Sequence, residues 1–87
     1  MATSRVSRLH KHILRVLLAE YHRTRGRTAM EHLECVKALG GDKSNISRSL
    51  RILEARGWLV MDRTAGGRAE SLHLTLAGLA KASEIYT

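Results

Sequence analysis

One stretch of the chain, residues 42–57, carries polar and basic side chains of the types that read nucleic acids. Serine is short enough to let a helix approach a base edge, asparagine pairs with adenine in bidentate geometry, and arginine pairs with guanine. Lysine and arginine also meet phosphates, which position a protein on a duplex. These residue types favour contact with double-stranded DNA, and the contacts we predict here are Lys43, Ser44, Asn45, Ser47, Arg48 and Arg51.

The same stretch has the pattern of an amphipathic helix. Ile46, Leu50 and Leu53 recur at i, i+4 and i+7, which places them on one helical face, opposite the polar residues. Asp42 is a favourable N-cap, because its carboxylate can accept from free N–H groups of the first turn. Gly57 is a favourable end, since glycine readily adopts the left-handed conformation there. We therefore predict a helix over residues 42–57, with an apolar back and a front that enters a major groove.

A shorter helix is predicted immediately before it, over residues 28–39. Thr28 and Glu31 have the spacing of a capping box, which makes Thr28 the start of this helix. The helix start also makes Thr28 a candidate phosphate contact. The apolar positions at helical spacing are Leu33, Val36 and Leu39, with Met30 and Cys35 beside them. Two glycines then connect the helices, and two helices joined by a short glycine-containing turn make a helix-turn-helix.

The first predicted helix, residues 4–22, has more apolar surface than a small domain needs. One stripe consists of Val6, Leu9, Ile13, Val16 and Leu17, and a second, adjacent one consists of Leu14, Leu18 and Tyr21. The second stripe predicts burial against another subunit, which makes this helix the expected homodimer surface. Its polar positions are mainly basic, and they suit either a second phosphate contact or a solvated face.

A β-hairpin and a last helix complete the predicted elements. Residues 58–75 hold a bulky apolar run, a Gly-Gly turn and then alternating polar and apolar residues, the pattern of a two-stranded hairpin. Arg63 and Arg68 flank its turn and are candidate contacts to the minor groove or its phosphates. Thr75 can cap a helix over residues 76–86, and Leu79, Ile85 and Tyr86 of that helix are further candidates for the dimer surface.

Length and charge bound the class of protein. The 87 residues suffice for one domain, residues 1–87, and the formal charge of +7 favours an acidic partner such as a nucleic acid. The single cysteine, Cys35, fits a reducing compartment. No stretch resembles a signal peptide or is long enough to span a bilayer, so we predict a cytoplasmic protein that does not enter a membrane.

Enzymatic, nucleotide-binding and metal-binding functions fit the sequence less well than DNA binding does. The residues from Gly40 to Ser44 approach a phosphate-loop pattern, but the first glycine is absent and Asp42 stands where the motif needs glycine. His32 and Cys35 lie at i, i+3 and could face one metal ion, but no second ligand pair exists and Cys35 falls among apolar positions. We predict no catalytic residues, no metal and no cofactor.

The order of these elements resembles the winged-helix transcription regulators, and most of all the MarR family. The resemblance rests on residues 42–50 (DKSNISRSL), residues 53–57 (LEARG), a hairpin with an arginine near its tip, and residues 74–78 (LTLAG), and it extends over about two thirds of the chain. It implies an α+β, mostly helical winged helix-turn-helix: three helices, a two-stranded β wing and a C-terminal helix. It also implies a homodimer on a palindromic operator, with the helix at residues 42–57 in the major groove and Arg68 in or beside the minor groove.

The chain departs from the family pattern in two ways. The family usually has an aspartate two residues before the wing arginine, where this chain has Gly66, and family members are usually longer, with extra helices at both ends. The chain therefore resembles the DNA-binding core of the family.

We accordingly expect a sequence-specific DNA-binding transcriptional regulator, in the first place a homodimeric repressor. Two alternatives remain from the sequence: a plasmid partition or architectural protein on repeated DNA sites, and a winged helix that serves as a protein-interaction module.

Overall fold

The computed structural model describes residues 8–86 as a winged helix-turn-helix with four helices and a three-stranded antiparallel sheet. The elements in chain order are α1 (Arg8–Thr24), β1 (Met30–Glu31), α2 (His32–Leu39), α3 (Lys43–Ala55), β2 (Leu59–Arg63), β3 (Ala69–Leu74) and α4 (Leu76–Tyr86). Part of the first predicted helix, residues 4–7, lies outside the described range. None of the described helices is long and apolar enough to cross a bilayer.

Helix α1 supports the rest of the domain, because α2, α3, α4 and β3 all pack against it. Ile13 and Leu14 are fully buried, and Leu17 and Leu18 nearly so. Leu14 and Leu18 belong to the stripe from which the sequence predicted a subunit contact, and that assignment is wrong for these two residues. They fill the chain's own core, since elements on several sides of α1 need a wider apolar surface than a single packing partner would.

The sheet has the strand order β1–β3–β2. The β2–β3 hairpin is the predicted two-stranded wing, and the short strand β1 adds a third strand that the sequence did not predict. Met30 pairs with Leu72, and Glu31 pairs with Ser71. This pairing holds residues 30 and 31 in extended backbone, and α2 therefore begins at His32 rather than at Thr28. The predicted capping box is wrong, because Glu31 itself occupies the N-cap position and makes no side-chain cap hydrogen bond.

The late start of α2 also changes which of its residues are buried. Cys35 and Leu39, four residues apart, face the core, whereas Leu33 is 59% exposed. Leu33 was predicted among the apolar positions of this helix, and that prediction is wrong. At about 100° per residue, Leu33 lies about 200° around the helix from Cys35, on the solvent side.

Backbone conformation defines the turn between α2 and α3. Gly40 adopts φ 67°, and its N–H donates to the carbonyl of Val36 at 3.1 Å, which ends α2. Asp42 follows in extended conformation at the N-cap of α3, where its carbonyl accepts from the N–H of Ile46 at 3.0 Å. Its carboxylate makes no cap hydrogen bond, contrary to the prediction. The backbone therefore sets the start of α3 without help from that side chain.

The apolar back of α3 completes the core. Ile46, Leu50 and Leu53 are fully buried, as the i, i+4, i+7 spacing predicts, and they pack in one cluster with Leu59 and Leu72 of the sheet. Full burial of each such side chain contributes about 1.5–3 kcal/mol. The orientation of the opposite, polar face of α3 is thus set by a well-packed core.

A compact junction joins the end of α3 to the wing and to α4. The Thr75 hydroxyl donates to the carbonyl of Gly57 at 2.6 Å and accepts from the N–H of Gly78 at 2.9 Å, so Thr75 caps α4 as predicted. Gly78 packs so closely that an added Cβ would collide with the carbonyl oxygen of Trp58. The Trp58 ring itself lies between Arg56 and Lys81, whose charged groups are 5.3 and 5.5 Å from its centroid.

Candidate nucleic-acid interface

The polar face of α3 forms an open depression on the surface. Its lining consists of Lys43, Ser44, Ser47, Arg48 and Arg51. The two serines leave room between the long cationic side chains, so the surface is concave and positively charged. Asn45 is exposed but does not line the depression. Five of the six predicted α3 contacts are thus brought together.

The cations of the depression keep their charge available. Among residues 8–86, the ion pairs involve other groups and none of them takes up Lys43, Arg48 or Arg51. Arg51 lies close enough to Glu54 to contribute a small lowering of the pKa of that carboxyl. A surface of this kind attracts an anionic ligand, since its charges are exposed and largely uncompensated.

A second groove runs between α3 and the wing and extends this surface. Its lining includes Ser47 and Arg51 from α3, Arg63 from β2, Gly67 at the hairpin turn and His32 at the start of α2. Sequence reasoning considered His32 only as a metal ligand and missed this position. No local signal indicated this position, because the helix predicted to begin at Thr28 placed His32 beyond its start. Burial lowers the pKa of His32, with the positive charge of Lys43 as the second cause, and both favour the neutral ring.

Arg63 forms a side-chain contact with α3. Its two terminal nitrogens each donate to a carboxylate oxygen of Glu54 at 3.0 Å. This bidentate pair lowers the pKa of the Glu54 carboxyl, chiefly through the hydrogen bonds from Arg63. Arg63 was predicted to contact DNA. In the structure its guanidinium joins the end of β2, beside the hairpin turn, to α3, and its charge is balanced by Glu54.

Arg68 stands at the wing tip with its side chain exposed to solvent. Thr64 fixes the turn that carries it: the Thr64 N–H donates to the Arg68 carbonyl at 2.9 Å, and the Arg68 N–H donates to the Thr64 hydroxyl at 3.2 Å. Gly67 completes the turn with φ 84°. Thr64, two residues before Gly66, thus holds the backbone of Arg68.

Thr28 lies apart from the other predicted contacts. It sits in the loop before β1 and lines a cavity of about 330 Å³ between the end of α1 and the sheet, together with Tyr21, Asp62 and His73. Because α2 begins only at His32, Thr28 is not at a helix start. The physical reason for predicting a phosphate contact at Thr28 is therefore lost.

His32 and Cys35 do not share a site. Cys35 is fully buried in the core, and burial raises the pKa of its thiol to about 11, whereas His32 faces the groove between α3 and the wing. Within residues 8–86, no group of three or more histidine, cysteine, aspartate or glutamate side chains is placed to hold a metal ion. The arrangement supports ionic and hydrogen-bonding recognition.

Solved structures with the same fold include transcription regulators and a protein described as DNA-binding. A protein from Ralstonia eutropha described as DNA-binding superposes with a TM-score of 0.79 at 23% identity, over 95% of this chain and 100% of its own. MepR, a transcription regulator of the Staphylococcus aureus multidrug efflux pump MepA, superposes with a TM-score of 0.72 at 23% identity, over 91% of this chain and 54% of its own. The adhesin competence repressor AdcR of Streptococcus pyogenes gives 0.69 at 18% identity, over 93% of this chain and 54% of its own.

These neighbours, which include winged-helix regulators of the MarR type, show the fold of the chain. The chain spans a little over half the length of MepR and AdcR and the full length of the Ralstonia protein. No family model matches the sequence, and no curated protein sequence matches it.

Proposed function

We propose that the protein is a sequence-specific double-stranded DNA-binding transcriptional regulator, a repressor that acts as a homodimer on a palindromic operator. One observation carries the proposal: five predicted contact residues line a single concave, cationic depression on a helix whose opposite face is fixed in the core. A MepR–DNA complex is among the structures with this fold, with a TM-score of 0.72 at 21% identity. That complex supports DNA as the ligand class.

The width of α3 suits a major groove. A helix with its side chains is about 10–12 Å across and the B-DNA major groove is about 12 Å wide, so α3 fits lengthwise. Ser44 and Ser47 let the backbone come close to the base edges, while Arg48 and Arg51 reach guanines or phosphates. Arg68 at the wing tip meets the neighbouring minor groove, where arginine is favoured by the negative potential of narrow segments.

The homodimer follows from the number of contacts. One copy presents few base-reading side chains, and symmetric half-sites about 34–36 Å apart would double them. The domain measures 41 × 28 × 22 Å, so two copies side by side can span that distance. The subunit contact must use surface other than Leu14 and Leu18, which are buried within the chain. Exposed apolar side chains elsewhere include Leu76, at 86% exposure.

The experiment is a binding isotherm across a salt series with two duplexes: the DNA upstream of the protein's own gene and a scrambled duplex of equal composition. Light scattering of the free protein reports its oligomeric state. We expect tight binding to the native duplex, steep weakening with salt as counterions are released, and a dimer in solution. Equal and weak binding to both duplexes would replace the specific regulator with an architectural or partition role. Absence of binding to either duplex would overturn DNA recognition.

A further inference from the structure

Helix α1 has a basic surface that the recognition of one duplex does not use. At about 100° per residue, Arg8, Lys11, His12 and Arg15 fall within about 100° of one another around the helix. All four are exposed. They constitute the α1 basic stripe. Lys11 and Arg15 each also interact with another part of the chain. The acidic residue of α1, Glu20, lies off this stripe and pairs with Arg23 at 2.8 Å.

The stripe points away from the face that we propose binds DNA. The side of α1 opposite the stripe carries Ile13, Leu14 and Leu17, which pack in one core with the apolar back of α3. The polar depression of α3 lies on the far side of that same core. The two basic surfaces therefore lie on different elements and face away from their shared core. No residue of the stripe lines the depression of α3 or the groove beside the wing.

The composition of the stripe identifies the kind of ligand it fits. It holds no large apolar or aromatic side chain, and such side chains are the usual anchors of protein–protein contacts. The apolar side of α1 is already buried in the core, so the helix cannot insert into a lipid interface in the manner of an amphipathic anchor. With a protein partner and a lipid interface set aside, the α1 basic stripe is a row of cations about 10 Å long, which suits a row of phosphates.

We infer that the α1 basic stripe binds the phosphate backbone of a second DNA duplex, so that a copy held on its operator through α3 bridges two DNA segments. This inference rests on the proposed function, since the first duplex must be bound through α3. The second contact reads no sequence, because phosphates carry none. It is also more sensitive to salt than to the identity of the second duplex.

The test is capture of a second duplex by a first. The native operator duplex is immobilised on beads, the full-length protein is added, and a fluorescent duplex of scrambled sequence is offered in solution. The stripe variant is Arg8→Ala/Lys11→Ala/Arg15→Ala, at exposed helix positions where alanine favours the fold. We expect this variant to bind the operator within about twofold of the wild-type affinity and to lose capture about tenfold or more, as the loss of three phosphate contacts predicts.

Two matched variants separate the stripe from net charge. Arg23→Ala/Lys37→Ala/Lys81→Ala removes three positive charges elsewhere and should keep capture, and Arg8→Lys/Arg15→Lys keeps the charge of the stripe and should keep capture too. Equal capture by the stripe variant and the wild type would overturn the inference, as would equal loss in the charge-matched variant. Operator binding by the wild type without any capture would also overturn it. Failure of the proposed function looks different, because the first duplex would then not be bound at all.

Discussion

The polar face of α3 and the wing, the two regions proposed to meet DNA, are held in place by different means. Helix α3 is fixed from behind, by Ile46, Leu50 and Leu53 in the core, and its cations take no part in the ion pairs described. The wing is fixed from its base and flank, by hydrogen bonds around Thr75 and by the pair of Arg63 with Glu54.

This difference distinguishes two kinds of residue on the surface proposed to bind DNA: those that would contact DNA, and those that hold the contacting residues in position. Changes on the front of α3 should remove the proposed contacts to DNA and leave the fold intact. Changes around the wing alter where Arg68 stands, and some of them alter stability as well. Variants can therefore show which region contributes contacts and which depends on positioning.

The largest effect, a loss of stability, is expected from Gly78→Ala, which lies outside the polar face of α3. The added methyl group collides with the carbonyl oxygen of Trp58, so α4 must move away from the base of the wing. Overpacking against backbone should cost about 3 kcal/mol or more of unfolding free energy, measured by urea denaturation. Gly66→Ala is the matched control, because its methyl group meets nothing closer than the Thr64 hydroxyl at 4.0 Å. Equal stability of the two variants would contradict the close packing at Gly78.

Arg51→Ala should have the largest effect on DNA binding among single changes on α3. Arg51 lines both the depression and the groove beside the wing, so its loss should weaken operator binding by about 1–3 kcal/mol, which is about 5- to 150-fold. The thermal unfolding midpoint should stay near that of the wild type, since the side chain is exposed. Lys37→Ala removes the same charge from α2 and serves as control. Wild-type affinity at moderate salt would contradict the placement of α3 in the groove.

Arg68→Ala should weaken binding less, by about threefold, and reduce the slope of log affinity against log salt by about 1. Arg68→Lys tests whether charge alone suffices: it should restore the salt slope but not a preference for A·T-rich sequence beside the half-site, which depends on arginine in a narrow minor groove. Identical sequence preference in Arg68→Lys and the wild type would show that Arg68 contacts only phosphates.

The smallest and most discriminating effect concerns Glu54. Because Glu54 balances the charge of Arg63, Glu54→Gln should free a cation beside the DNA and tighten binding about two- to threefold, with a steeper salt dependence. Arg63→Ala should act in the opposite direction, since it leaves Glu54 uncompensated near phosphates. Weaker binding by Glu54→Gln would instead mean that the pair serves mainly to hold the wing against α3. Fluorescence anisotropy with a short operator duplex is sensitive enough for both.

The sequence predicted the elements whose signal is local and periodic. The apolar spacing of Ile46, Leu50 and Leu53, the left-handed ends at Gly40 and Gly57, and the threonine cap of α4 depend on neighbours within one or two turns. The concave polar face of α3 follows from them, since the opposite side of a buried stripe is exposed. For this reason, the sequence alone could place most of the predicted contact residues on one face of α3.

Errors arose where a distant segment decides the local structure. The residues from Thr28 to Glu31 have a favourable helix-start pattern. Met30 and Glu31 nevertheless stay extended, because they pair with residues of β3 about forty positions later in the chain. The bidentate partner of Arg63 lies nine residues away on another element, so no local pattern indicated it. Leu14 and Leu18 show the same limit, because an apolar stripe does not reveal whether its partner is in the same chain or in another.

The environment of Trp58 gives the protein a built-in optical probe. Trp58 is the chain's single tryptophan, and it sits where the end of α3, the start of β2 and α4 meet, between the cations of Arg56 and Lys81. Indole emission responds to nearby charge and to water, so its wavelength and intensity should report any separation of α4 from the wing base. Movement at this junction can therefore be followed in the unmodified protein, without attaching a dye to the surface proposed to bind DNA.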